Sequence, residues 1–112
     1  MIATVAAWIV VVLHILFALM ESVGWTAVAT RAGYKPAAIE ATRPLALNQG
    51  AYNAGFAAVL GWAIVTGQGA TVLALLIFII AMSVVGAVTV RWSIFLVQGV
   101  PAVVALAAAL LG

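Results

Sequence analysis

The sequence predicts an all-α protein, an integral membrane four-helix bundle with short loops. Of its 112 residues, 69% are hydrophobic and only 5% are charged, whereas a soluble domain has about 25% charged residues. The apolar residues fall into four runs near the length that crosses a bilayer core, about 20 residues each. The breaks between these runs hold nearly all the charges. This composition excludes a soluble monomer, and it also excludes a disordered chain, which would be polar and highly charged.

Prolines, glycines and charges bound the four runs. Four of the six charged residues lie in a segment that separates the first run from the second. Pro44 is suited to the first turn of a helix, where its missing N–H costs nothing, and Pro36 is similarly placed to begin a short interfacial helix. Gly67 and Gly69 mark a tight turn after the second run. We predict one transmembrane domain over residues 1–112, with helices over residues 2–30, 44–65, 70–90 and 93–111 and a cytoplasmic loop over residues 31–43.

The basic residues predict the orientation. Three of them lie in the 31–43 loop and the fourth is Arg91, and with four spans both positions fall on the same side of the membrane. The positive-inside rule therefore places this loop and Arg91 in the cytoplasm and both termini outside. Because no run of basic residues occurs, we expect no nucleic-acid partner.

Polar side chains inside the spans identify the candidate site, because each is costly in hydrocarbon. His14 and Glu21 are seven residues apart, so one helix would carry both on one stripe, with Trp25 four residues further. The second helix carries a cluster of amides and a tyrosine, and Gln98 precedes Pro101, which is expected to bend the fourth helix. The candidate ligand-binding or proton-exchanging residues are His14, Glu21, Trp25, Asn48, Gln49, Tyr52, Asn53 and Gln98.

These residues share the cytoplasmic half of the predicted spans, whereas the outer half is almost entirely apolar. A conducting path needs polar groups through both leaflets. We therefore predict a pocket that opens inward and is closed outward by an apolar plug. The His14–Glu21 pair has two interpretations that remain open: a proton-accepting or ligand-binding pair, or a hydrogen-bonded network that keeps the helices in register.

Several kinds of chemistry are excluded or disfavoured. The chain has no cysteine and one histidine, which excludes disulfides, thiolate metal sites and a three-histidine site within one chain. We expect no metal and no cofactor, and the ligand count disfavours a haem bound through His14. Ser22 and Ser83 show no clear relation to the histidine that would suggest a catalytic triad. We predict no catalytic residue, and an enzyme is the less favoured class.

The same residues carry a family resemblance. Six residues separate His14 from Glu21, and three separate Glu21 from Trp25. Three further motifs follow along the chain. These motifs are Ala46-Leu47-Asn48-Gln49-Gly50-x-Tyr52-Asn53, Gly86-Ala87-x-Thr89-Val90 and Gln98-Gly99-x-Pro101-Ala102. In order, spacing and length the chain resembles the domain of unknown function 1304 family, except that Leu13 stands where many members have a glutamate. The resemblance implies a four-helix protein of the bacterial inner (cytoplasmic) membrane and no particular activity.

We weigh two functional hypotheses of different classes. In the first, the inward pocket binds a small amphipathic or protonatable molecule, with proton binding at His14 and Glu21. In the second, the chain is an accessory subunit of a larger membrane complex, and much of its polar layer is packing. A small transporter or a membrane enzyme ranks third. Expected partners are membrane lipids, together with a larger membrane complex or further copies of the chain.

Overall fold

The computed structural model describes all 112 residues, and the all-α prediction is confirmed. The chain contains five α-helices, one π-helical segment and no strand. The elements are α1 (Ile2–Glu21), α2 (Trp25–Arg31), α3 (Pro36–Val65), α4 (Gly69–Thr89), the π-helical segment (Phe95–Gly99) and α5 (Val100–Leu111). The molecule is elongated, with extents of 48 × 26 × 17 Å.

The first apolar run is broken, which corrects the prediction of one helix over residues 2–30. The chain leaves the α1 axis at Ser22, whose hydroxyl donates to the Ala18 carbonyl at 2.6 Å. A serine hydroxyl that binds a backbone carbonyl in this way competes with continued helix. The chain then turns sharply, so that a Cβ at Gly24 would lie 3.1 Å from the Leu19 carbonyl oxygen. Hydropathy does not reveal this break because the residues on both sides of it are apolar.

The predicted loop over residues 31–43 is mostly helix, and the connection itself covers only residues 32–35. Helix α3 begins at Pro36, where the ring fixes a helical φ, and it continues through Pro44. Proline inside a helix removes one backbone hydrogen bond, here the one to the Glu40 carbonyl. Ile39, in the same part of α3, is buried at 5% exposure, and this burial stabilises the start of the helix.

A small polar network joins α2 to the start of α3. The Arg43 guanidinium donates to the Glu40 carboxylate at 2.7 Å and to Thr26 Oγ1 at 2.8 Å. The hydrogen bond from Arg43, together with its charge, holds the pKa of Glu40 below its usual value. The ion pair therefore persists at neutral pH and is lost as the pH falls through the folded-state pKa. Because both side chains are solvent-exposed, this pair fixes geometry more than it adds stability.

The last apolar run contains a π-helical segment directly before Pro101. Residues 93–111 are continuously helical, but between Phe95 and Gly99 the helix widens, and the Val100 N–H reaches back to the Phe95 carbonyl. Pro101 has no N–H to give the Val97 carbonyl, and its ring crowds that oxygen. The wider turn accommodates this, and such segments occur often at functional sites.

The helices are arranged up and down along the long axis. α1 and α3 are antiparallel, since Trp8 lies against Gly61 and Ala18 against Gly50. The N-terminal residues, the turn between α3 and α4 and the end of α5 line one groove, so they share one end of the molecule. All four Lys and Arg residues therefore lie towards the opposite end, which we call the basic end.

The hydrophobic core occupies the half of the bundle away from the basic end. Its nine buried residues come from α1, α3, α4 and α5, and small alanines let the helices approach closely. They are Ala6, Val10, Val11, Ala57, Leu60, Leu76, Ile79, Ala102 and Ala105. No histidine, serine, amide or acid interrupts this cluster.

By length and composition, two helices could cross a membrane: Ile2–Glu21 and Gly69–Thr89. The segment Phe95–Leu111 is apolar but shorter. The long helix α3 is less hydrophobic because it begins with charged residues and carries the Asn48–Asn53 run.

Candidate functional site

A polar layer lies next to the apolar core, on its basic-end side. Residues four apart lie on the same face of a helix. The residue one turn from a core residue, towards the basic end, therefore shows what replaces the core at the next level. One turn beyond Val10 is His14, and one turn beyond Ile79 is Ser83. One turn before Ala57 is Asn53. On α1, α3 and α4, an apolar core residue is thus followed by a polar residue at this level. On the fourth core helix, α5, this level is reached in the π-helical segment that precedes it.

His14 is the most deeply buried ionisable side chain, at 1% exposure. Its Nδ1 donates to the Val10 carbonyl at 2.8 Å, and because a carbonyl only accepts, the Nδ1 atom carries hydrogen. Its Nε2 is buried and has no partner. The imidazole lies between the half-buried rings of Phe17 and Phe56, with centroid distances of 5.3 and 4.5 Å. A buried nitrogen without a partner costs about 1–3 kcal/mol, so this one is a candidate hydrogen-bond acceptor for a ligand.

Glu21 and Asn53 form the second part of the site. The Asn53 amide donates to Glu21 Oε1 at 2.5 Å, and both side chains are half-buried. The contact exists because Gly50, one turn earlier on α3, lets that helix touch the α1 backbone at Ala18. No hydrogen bond within the chain involves Oε2 of the carboxyl group. The sequence analysis placed both residues in the site, and the structure joins them directly.

Ser83 and Gly99 complete the layer on the other side of the bundle. Ser83 is fully buried and donates to the Ile80 carbonyl at 2.7 Å. Gly99 is buried against it, and a methyl group at Gly99 would collide with the serine Oγ. The π-helical segment thus brings Gly99 to the core-facing position, and Gln98 lies half-buried beside it without a side-chain hydrogen bond. The sequence analysis counted Gln98 but not Ser83 among the candidate site residues; the signal for Ser83 was its four-residue spacing from Ile79.

The other predicted site residues do not join this layer. Trp25 lies on α2, beyond the break after α1, and its indole N–H donates to Thr42 Oγ1 at 3.2 Å. The predicted stripe of His14, Glu21 and Trp25 on one continuous helix is therefore wrong at its third residue. Asn48, Gln49 and Tyr52 are all exposed on the outer surface of α3, without side-chain hydrogen bonds. The amide cluster thus divides between an inward side, with Asn53, and an outward side.

Two grooves lie on the surface of the bundle, and neither is lined by a side chain of the polar layer. One groove of about 470 Å³ lies between α1 and α3 and is lined mostly by small apolar residues, including Ala18 and Gly50. The other, of about 280 Å³, lies at the end of the molecule away from the basic residues. Because His14 is only 1% exposed, access to its Nε2 requires a side-chain movement.

The chemistry available to this layer is hydrogen bonding and proton binding. No three His, Cys, Asp or Glu side chains cluster as a metal site would require. The layer offers one bare imidazole nitrogen and one free carboxylate oxygen, both acceptors from a ligand N–H or O–H group. A neutral, polar or cationic head with hydrogen-bond donors fits these acceptors, whereas an anion does not.

Fold and site together define a small all-α bundle with an apolar core and a buried polar layer built around one histidine. The chain belongs to the family described as "Protein of unknown function (DUF1304)", whose profile matches residues 8–110. The match spans every motif on which the resemblance rests. No curated protein and no solved structure matches the chain.

Proposed function

We propose that this chain is an integral membrane four-helix bundle that binds a small amphipathic or protonatable molecule at its polar layer. The unpartnered, buried Nε2 of His14 carries this proposal. In a bilayer no water replaces a missing partner, and intramembrane ionisable residues are functional sites by default. The Glu21 carboxylate lies two turns away on the same helix, about 10 Å along its axis. His14 and Glu21 thus accept hydrogen bonds or protons from the ligand, while Asn53 holds the carboxylate.

The dimensions of the helices support the membrane assignment. Helix α1 has 20 residues and α4 has 21, which at 1.5 Å per residue gives about 30 Å, the thickness of a bilayer core. Helix α3 has 30 residues, so its first two turns extend into the cytoplasm with Glu40 and Arg43. The π-helical segment and α5 form the fourth span. In this arrangement the basic end faces the cytoplasm and both termini face outward.

The test is native mass spectrometry of the protein released gently from its own membrane. We expect a stoichiometric small mass on the wild-type chain that is lost from His14→Leu and reduced in Glu21→Gln. Gln49→Leu is the matched control, because it removes an exposed polar group from the neighbouring helix without touching the layer. A wild-type chain without a bound mass, or a mass that all variants retain, contradicts the proposal.

The accessory-subunit hypothesis predicts a different spectrum from the same experiment. The chain would then be released together with a larger protein, and no small mass would be bound. The outward-facing polar residues of α3 favour a protein contact of some kind, which is consistent with this alternative.

A further inference from the structure

We propose that α3 pairs with α3 of a second copy of this chain, along one stripe of exposed residues. This stripe, which we call the α3 seam, runs the length of the membrane-embedded part of the helix. Every one of its residues is exposed in the single chain. It consists of Leu45, Asn48, Tyr52, Gly55, Val59 and Trp62.

The seam residues follow one another at intervals of three, four, three, four and three. This is the 3.5-residue repeat by which two helices pack side by side at a small left-handed angle. Any outward stripe of a helix has such a spacing, so the spacing sets only the geometry. The residue types in the seam indicate the contact.

In the membrane arrangement proposed above, on which this pairing rests, Asn48 and Tyr52 would otherwise face lipid. They lie five and nine residues after Arg43, about 7 and 13 Å into the hydrocarbon. Tyr52 is 70% exposed, and neither side chain has a hydrogen-bond partner in its own chain. Lipid tails offer no donor or acceptor at that depth, and unsatisfied polar groups there are costly. A protein partner therefore covers them.

A second copy is the partner that fits this stripe. The basic residues all lie at one end of the bundle, so every copy inserts in the same orientation. A two-fold axis along the membrane normal then brings each seam residue opposite its own counterpart. The Asn48 amide carries both donors and an acceptor, so two copies at equal depth bond to each other, as buried asparagines do in two-stranded coiled coils. Gly55 contacts nothing within 4 Å in its own chain, which lets the two backbones approach closely.

Single-cysteine cross-linking tests this pairing, since the natural chain has no cysteine. We expect Val59→Cys, in membrane vesicles containing two differently tagged copies, to form an oxidised dimer that carries both tags. Val104→Cys on α5 is the matched control: both valines are about half exposed, at 46% and 53%, and lie about 20–24 Å from the basic end. Equal cross-linking of both variants, no cross-linking of Val59→Cys, or a product with a different protein overturns the proposal.

Two further variants separate pairing from folding. Gly55→Leu adds bulk where the single chain has only open space, so the monomer stays folded while the Val59→Cys cross-link is lost. Asn48→Leu removes the hydrogen bond between the two amides. We expect it to lower the dimerisation constant about threefold, because an average hydrogen bond in a membrane contributes about 0.6 kcal/mol. Undiminished cross-linking in Gly55→Leu contradicts the close approach of the two helices.

Discussion

Among the single residues, His14 stands out because its Nε2 is the one buried side-chain polar atom without a hydrogen-bond partner. Val10 accepts the Nδ1 hydrogen of His14 and thereby fixes the tautomer of the neutral ring. We expect ¹⁵N spectra of histidine-labelled protein in lipid bilayers to show one ring, because there is one histidine, with Nδ1 protonated and Nε2 bare. Bound ligand is expected to shift the Nε2 signal and leave Nδ1 almost unchanged. A ring protonated only at Nε2 would contradict the Val10 hydrogen bond.

The Glu21–Asn53 hydrogen bond joins α1 to α3 and should contribute to stability. Bonds to charged groups contribute about 1.5–3 kcal/mol in soluble proteins, but membrane values average about 0.6 kcal/mol. We expect Asn53→Ala to lower the free energy of unfolding in micelles by about 1 kcal/mol. Gln49→Ala, which removes an exposed amide from the same helix, should change it by less than about 0.5 kcal/mol. Equal losses in the two variants would mean that the Asn53 contact contributes nothing.

The helices show how far sequence reasoning reaches in this chain. An apolar run is identified from the summed hydropathy of about 20 residues. Such runs correctly predicted that the chain is all-α. They could not reveal the break after Glu21, because it depends on local geometry at Ser22 and Gly24, where the backbone folds back against Leu19. They also treated the charged residues before Pro44 as loop, although charges are compatible with a helix that Pro36 has begun.

The candidate site was predictable in composition but only partly in geometry. The seven-residue spacing placed His14 and Glu21 on one face of the first helix. Asn53 could be placed near them because it lies in the same half of the predicted spans. The direction of each α3 side chain depends on which face contacts α1, and that contact is set by Gly50 against Ala18. Sequence alone did not distinguish the inward Asn53 from the outward Tyr52, since both lie in one polar run.

Gly50 sets the distance between α1 and α3, so it offers a direct test of how the bundle is packed. A Cβ at Gly50 would lie 3.0 Å from the Ala18 carbonyl oxygen, which is backbone and cannot rotate away. We expect Gly50→Val to lower the free energy of unfolding in micelles by about 1–3 kcal/mol, as overpacked cores do. Gly55→Ala in monomeric protein is the control: its methyl group meets nothing within its own chain, and the better helix former adds up to about 1 kcal/mol. If Gly50→Val were as stable as the wild type, α1 and α3 would not touch at this point.

Across the whole molecule, charge and polarity change along the same axis. The end with both termini is neutral, the half next to it is apolar core, the polar layer follows, and the basic end closes the series. A transport path would need polar groups on both sides of the centre, and the continuous core interrupts it. In the membrane arrangement that we propose, the gradient fits a binding site that opens to one side of the membrane only.

This gradient makes the topology a testable property of the proposed membrane protein. We expect Gln68→Cys, in the turn between α3 and α4, to react with a membrane-impermeant maleimide added outside intact spheroplasts. Lys35→Cys, in the connection before α3, should react only after the membrane is permeabilised, because the positive-inside rule predicts that the basic end is cytoplasmic. Both positions are exposed, so the difference reports sidedness rather than burial. Labelling of Lys35→Cys but not of Gln68→Cys in intact spheroplasts would mean that the bundle has the opposite orientation. The polar layer would then open to the outside. Labelling of both would mean that copies insert in two directions, which would remove the equal depth that the pairing of two α3 helices requires.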